Sequence, residues 1–359
     1  MRLVDLPTPC LVLDRAVLAR NIAAMNAVMA RHGVALRPHM KTAKSIDVAR
    51  LVGASGITVS TLAEAEYFAR HGVRDILYAV GITPQKLDRV AALNAAGADV
   101  LVITDDVGAA AAVAAHPGRI RALVEVDSGE HRGGMGAADD RLLAVAAGLG
   151  ERLAGVMTHA GHSYAGRSDA EMAALAEGER VAIVGAAERL RAAGHAVGIV
   201  SMGSSPTVRH ARGLSGVTEV RAGVYMFGDL FQAGIGTHAV EDIALTVLAS
   251  VIGVRPGEHR FVVDAGGIAL SKDRSTAAGP VDYGFGLVVG MGETTVVSAY
   301  QEHGVVACDP DRPWPGVAVG DRVRVLPNHT CMMAAAHDRY YVVDGGDEVV
   351  GVWERVNGW

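Results

Sequence analysis

The chain has 359 residues, half of them hydrophobic and a fifth charged, with a formal net charge of −6. That length suits one large domain plus a smaller one, with ample apolar material for a core. The acidic balance argues against a nucleic-acid or anionic-membrane partner, and no long apolar run free of charges and breakers predicts a membrane span.

The N-terminal "MRLVDLPTPC" has no apolar signal core, and "LPTPCLVLD" reads as a strand. From about residue 34 to 230 the chain alternates short β-branched runs with longer alanine-rich stretches of helical spacing. The runs are "VALRPHM", "GITVSTL", "RDILYAV", "ADVLVIT", "RALVEVD", "LAGVMTH", "VGIVSMG" and "EVRAGVYMF". Eight units of this size predict a (β/α)8 barrel (TIM barrel) of parallel strands buried on both faces. A doubly wound sheet is the rival; no G-x-G-x-x-G follows the first strand. After about residue 240, six strand-like runs follow without long helices between them, which predicts a C-terminal β-rich domain. The expected division is a barrel over 11–235, with 1–10 and 236–359 forming the β-rich domain. Three widely spaced cysteines, Cys10, Cys308 and Cys331, argue against a disulfide framework and for a reducing, cytoplasmic setting.

In such barrels the reactive groups stand at the C-terminal ends of the strands. "ALRPHMKTAKS" puts His39 and Lys41 just past the first strand. Lys41 is either a solvated charge or an amine held for chemistry, and nothing local decides. Burial beside Arg37, His39 or Lys44 would activate it; Lys44 itself reads as an exposed first-turn residue. "SMGSSPTV", after the seventh strand, offers Gly203 for close backbone approach and hydroxyls at Ser204, Ser205 and Thr207. It is a phosphate loop or an ordinary Ser/Pro turn. Gly223 and Tyr225 follow the eighth strand, and "VMTHAGHSY" clusters His159 and His162 after the sixth. In "LPNHTCMMAA", His329 and Cys331 are two apart. On a strand both would face one side and reach one zinc ion; many such pairs bind nothing. His303 is a weaker candidate beside them.

A lysine after the first strand, a hydroxyl-rich loop after the seventh and a trailing β domain together resemble the fold type III pyridoxal-phosphate enzymes. "RPHMKTAKS", "VEVDSGEHRGGM", "HAGHSY", "GSSPT", "RAGVYMFGD", "DAGGIALS", "QEHG" and "PNHTC" resemble, in order, the D-serine dehydratase and D-threonine aldolase branch. The resemblance covers nearly the whole chain. It implies that Lys41 carries pyridoxal 5'-phosphate and that His39 lies by the cofactor. It further implies that Ser204, Ser205, Thr207, Gly203, Gly223 and Tyr225 surround the phosphate, and that Arg132 and Tyr164 lie near the ring. The family's usual second threonine of the phosphate loop is Ser205 here, which keeps the hydroxyl. His329 and Cys331 are implied to hold a divalent ion, zinc first, with manganese or magnesium as alternatives.

The implied reaction is β-elimination on a small D-amino acid, first D-serine to pyruvate and ammonia. Lys41 would take the Cα proton and the metal would bind the β-hydroxyl. D-threonine aldolase-type cleavage to glycine and an aldehyde is an alternative, as is a D-3-hydroxyaspartate dehydratase or aldolase, marked by an extra cation. An alanine racemase would need a tyrosine such as Tyr283 or Tyr300 and would leave the His-Cys pair idle. A non-catalytic cofactor-homeostasis protein would lack the β domain. The family also implies a homodimer.

Overall fold

The β-branched runs become strands because their side chains pack on pleated surfaces, and the alanine-rich stretches between them coil into helices. The computed structural model describes all 359 residues, Met1–Trp359. It divides into two compact units, Met25–Gly223 with Val356–Trp359, and Met1–Ala24 with Val224–Arg355.

The first unit is the barrel. Its eight parallel strands are Ala35–Pro38, Gly56–Val59, Asp75–Gly81, Asp99–Thr104, Arg121–Val126, Leu153–Thr158, Ile199–Met202 and Glu219–Ala222. The first pairs with the last, and a parallel bridge from His39 to Thr58 closes the ring. Helix starts are capped locally: Thr61 Oγ1 accepts from the Glu64 amide at 3.0 Å, and the Asp106 carboxylate from the Ala109 amide at 2.7 Å. Leu77, Leu101, Ile103, Leu123 and Met157 form an apolar cluster shared by four neighbouring strands. An ionic ladder joins the first, third and eighth strands. Arg37 donates to Glu219 at 2.8 Å and to both oxygens of Asp75 at 2.7 and 3.0 Å. Ser201 donates to Glu219 at 2.6 Å. Each buried charge here has its counter-charge, as burial in low dielectric demands.

The second unit is a nine-stranded sheet, antiparallel except where Cys10–Asp14 runs parallel to Arg339–Val343. Its long strand, Leu245–Arg255, pairs with Cys10–Asp14, Arg260–Val263 and Arg322–Leu326. All six β runs expected after residue 240 contribute strands. The N-terminal strand joins this sheet, so residues 11–14 lie beyond the boundary set at 10/11 from sequence. No helix is long and apolar enough to cross a membrane.

Candidate active site

Lys41 lies in the turn that follows the first barrel strand, and its backbone amide donates to His39 Nδ1 at 3.3 Å. His39 Nδ1 is therefore an acceptor. Burial, then the charges of Lys41 and Arg221, hold His39 well below its ordinary pKa, so its ring is neutral. The expected surroundings of Lys41 need correction. Its side chain is exposed, not buried. Arg37 is neutralised inside the barrel by Asp75 and Glu219. Lys44 is not an exposed first-turn residue: it has φ of 49° and pairs with the buried Glu64 at 3.3 Å.

The loop after the seventh strand is ordered by its own hydroxyls. Ser204 Oγ accepts from the Thr207 amide at 3.3 Å, and Thr207 Oγ1 from the Ser204 amide at 3.0 Å, forming a capping box on helix Ser205–His210. Ser204, Ser205 and Thr207 are all buried. Gly203 has φ of 124°, and a Cβ there would sit 2.6 Å from the Arg221 carbonyl. A Cβ on Gly223 would sit 2.8 Å from the His39 carbonyl. The Gly203→Ala variant should therefore lose about 1–3 kcal/mol of stability, read as a lower thermal midpoint together with weaker cofactor binding.

The histidine-rich loop packs against this one. His159 Nδ1 donates to the Gly203 carbonyl at 3.1 Å, and the Ser163 and Ser204 hydroxyls are 3.0 Å apart. Burial, assisted by Lys41, lowers His159 to about 3, so it is neutral at physiological pH. His162 lies 3.4 Å from where a Cβ on Gly129 would be. Tyr164 is half-buried in the same short helix, Gly161–Ala165. Arg132 pairs with Glu130 at 3.3 Å and acts electrostatically on His159. Two buried residues were not singled out from sequence. Arg221, on the eighth strand, donates to Ser201 and to the Thr158 carbonyl; Glu179, on helix Asp169–Ala192, bonds the Ala160 and Gly203 amides.

Tyr225, His329 and Cys331 belong to the second unit. Tyr225 is buried in the short helix Val224–Met226, and burial pushes its phenol up. His329 and Cys331 are not on a strand, as the sequence spacing suggested. His329 is the extended N-cap of helix Thr330–Ala334, and Cys331 lies in its first turn. The side chains still meet: the Cys331 thiol is a hydrogen-bond partner of the His329 ring. His329 Nδ1 sits 3.1 Å from Asp273 Oδ2. Burial lowers His329, but Asp273 and Cys331 outweigh it and raise the imidazole to about 10. The segment is held firmly. Asn328 donates to the Asp273 carbonyl at 3.1 Å, and Thr330 donates through its amide to Asp229 at 3.1 Å. His303 sits exposed in the hairpin turn before Gly304–Ala307, and no three His, Cys, Asp or Glu side chains are arranged to hold a metal ion together.

These residues fit the two groups that the sequence reading implied. Buried hydroxyls, a capped helix start and two glycines whose Cβ would clash with backbone make a cradle for a phosphate. An imidazole and a thiol in contact, with Nδ1 on a carboxylate, leave Nε2 and Sγ as a soft two-donor set once a bound cation displaces their protons.

The alanine racemase N-terminal domain family matches residues 13–230, and the putative serine dehydratase domain family matches residues 244–343. The chain belongs to the alanine racemase-like family of fold type III pyridoxal-phosphate enzymes. This member is 46% identical to a D-threo-3-hydroxyaspartate dehydratase of Delftia sp. strain HT23, over 99% of each chain. A solved structure of that dehydratase, a cysteine-to-alanine mutant in the metal-free form, superposes with a TM-score of 0.96 and 43% identity over all of both chains. A D-serine dehydratase of Dictyostelium discoideum is 29% identical over 99% of this chain and 98% of that one. A 3-hydroxy-D-aspartate aldolase of Paracoccus denitrificans strain Pd 1222 is 32% identical over 97% and 91%. This family member is accordingly a pyridoxal-phosphate-dependent lyase, with the barrel and C-terminal β domain expected from its sequence.

Proposed function

We propose that the protein is a metal-assisted dehydratase of D-3-hydroxy amino acids, with D-threo-3-hydroxyaspartate as its preferred substrate. The observation that carries the reading is the end-to-end similarity to the Delftia dehydratase, well above that to the D-serine dehydratase. It moves the preference from D-serine, the first sequence expectation, to its β-carboxylated analogue. Elimination is favoured over aldol cleavage by the His-x-Cys pair and "HAGHSY", which resemble the dehydratases.

Lys41 is assigned the cofactor aldehyde, and Ser204, Ser205, Thr207, Gly203, Gly223 and Tyr225 the phosphate. His39, Arg132 and Tyr164 are assigned to the ring. When bound, pyridoxal phosphate delocalises the electron pair left at the substrate's Cα. Lys41 Nζ takes the Cα proton, a role suited to an amine with conformational freedom at the end of its stem. His39 and His159 are neutral and add no competing positive charge beside it. His329 Nε2 and Cys331 Sγ would hold a divalent ion, which supplies Lewis acidity to the departing β-hydroxyl. Zinc suits one thiolate and one imidazole best, and two protein donors leave positions for water and substrate. Asp273 fixes the His329 ring, which orients Nε2. A homodimer is proposed from the family.

A panel of D-3-hydroxy amino acids tests the reading. D-threo-3-hydroxyaspartate should give oxaloacetate and ammonia, with kcat/KM exceeding that for D-serine by roughly ten-fold or more. Glycine and glyoxylate as products would establish aldol cleavage instead. Faster turnover of D-serine would return the preference to the smaller substrate.

A further inference from the structure

Helix Asp169–Ala192 links the sixth and seventh barrel strands and carries acidic residues along most of its length. Most of these face water. Glu179 does not: it is 0% exposed. Its Oε1 accepts two backbone hydrogen bonds, from Gly203 at 2.9 Å and from Ala160 at 3.1 Å. Gly203 opens the loop of Ser204, Ser205 and Thr207; Ala160 sits in the histidine-rich loop. Oε2 is buried beside the Thr207 hydroxyl and makes no further bond of ordinary geometry. One oxygen thus joins two loops that meet again through His159 to the Gly203 carbonyl and Ser163 to Ser204.

The chemistry of this arrangement is specific. Two buried amides need an acceptor, and without one each stays unsatisfied. A solvent-facing glutamate cannot supply it. A carboxyl group facing a phosphate dianion would be repelled if ionised, and burial favours its neutral form as well. The useful property is therefore acceptance at one oxygen, not negative charge.

We propose that Glu179 is a positioning residue: its Oε1 locks the phosphate-binding loop to the histidine-rich loop and so sets affinity for the cofactor's phosphate. This rests on the assignment of 203–207 to the phosphate. Gly203 can aim its amide only while Glu179 holds it, and the hydroxyls of Ser204 and Thr207 follow that amide. Glutamine should replace glutamate here, because its amide oxygen can accept both bonds. Methionine, of similar length and without an acceptor, should not.

The test titrates the apo forms of wild type, E179Q, E179M and S204A with pyridoxal 5'-phosphate and with pyridoxal, following visible absorbance. E179M should bind pyridoxal phosphate roughly ten- to a hundred-fold more weakly while pyridoxal affinity stays within about three-fold; E179Q should stay near wild type for both. Equal weakening toward both ligands, or wild-type affinity in E179M, would overturn the proposal. If S204A weakens the phosphorylated ligand and E179M does not, only the role of Glu179 fails. If S204A also leaves that affinity unchanged, the loop assignment itself has failed. Should E179M not fold, E179D serves: its shorter side chain should weaken pyridoxal phosphate binding where E179Q does not, and equality of the two would overturn the role.

Discussion

Replacing Lys41 with alanine is expected to reduce elimination by roughly a hundred- to ten-thousand-fold, the range lost with a general base, and to abolish the visible absorbance of the lysine-bound cofactor. The effect should be chemical rather than structural. Lys41 is exposed in a turn, and its hydrogen bond to His39 is made by its backbone amide, so the side chain can be removed without leaving a cavity. Far-UV circular dichroism and the thermal midpoint of Lys41→Ala should match wild type. Non-covalent binding at the phosphate loop should persist, because Ser204, Ser205 and Thr207 are fixed independently of the lysine. Turnover in this variant within a few-fold of wild type would remove Lys41 from its assigned role.

The second large effect is expected at the His-Cys pair. Cys331→Ala should lower bound divalent metal to near background by elemental analysis and reduce elimination by roughly a hundred-fold or more, since hydroxide leaves poorly without a Lewis acid. His329→Ala should do the same, and it also strips Asp273 of its ring partner. Cofactor absorbance should survive in both, because neither side chain is among those assigned to the cofactor. Full activity with no bound metal in either variant would end the proposal for that pair.

Much of the architecture was legible because one physical signal repeats. Most barrel strands are short apolar runs with β-branched residues, and parallel strands buried on both faces need little else. The hydroxyls after the seventh strand were equally visible, although the reciprocal cap that Ser204 and Thr207 form on helix Ser205–His210 was not read from them. What escaped sequence reasoning depends on partners far along the chain. Arg37 and Lys44 read as positive neighbours of Lys41, yet Asp75, Glu219 and Glu64 absorb their charge. Glu179 was not singled out among the acids of its helix, and only the amides of Ala160 and Gly203 give it a purpose. His329 and Cys331 were paired for the wrong reason. "TCMMA" is too short to reveal whether its apolar residues are strand or helix. The contact survives because Cys331 lies in the first turn of the helix that His329 precedes, within reach of its ring.

The most direct test of the account is to chelate the metal from the holoenzyme and follow two events on D-threo-3-hydroxyaspartate or D-serine in deuterated water. The predicted result is retained cofactor absorbance and continued exchange of the Cα hydrogen, driven by Lys41, while keto-acid formation falls by roughly a hundred-fold or more and returns on adding zinc. Keto acid formed at an undiminished rate by metal-free protein would contradict it.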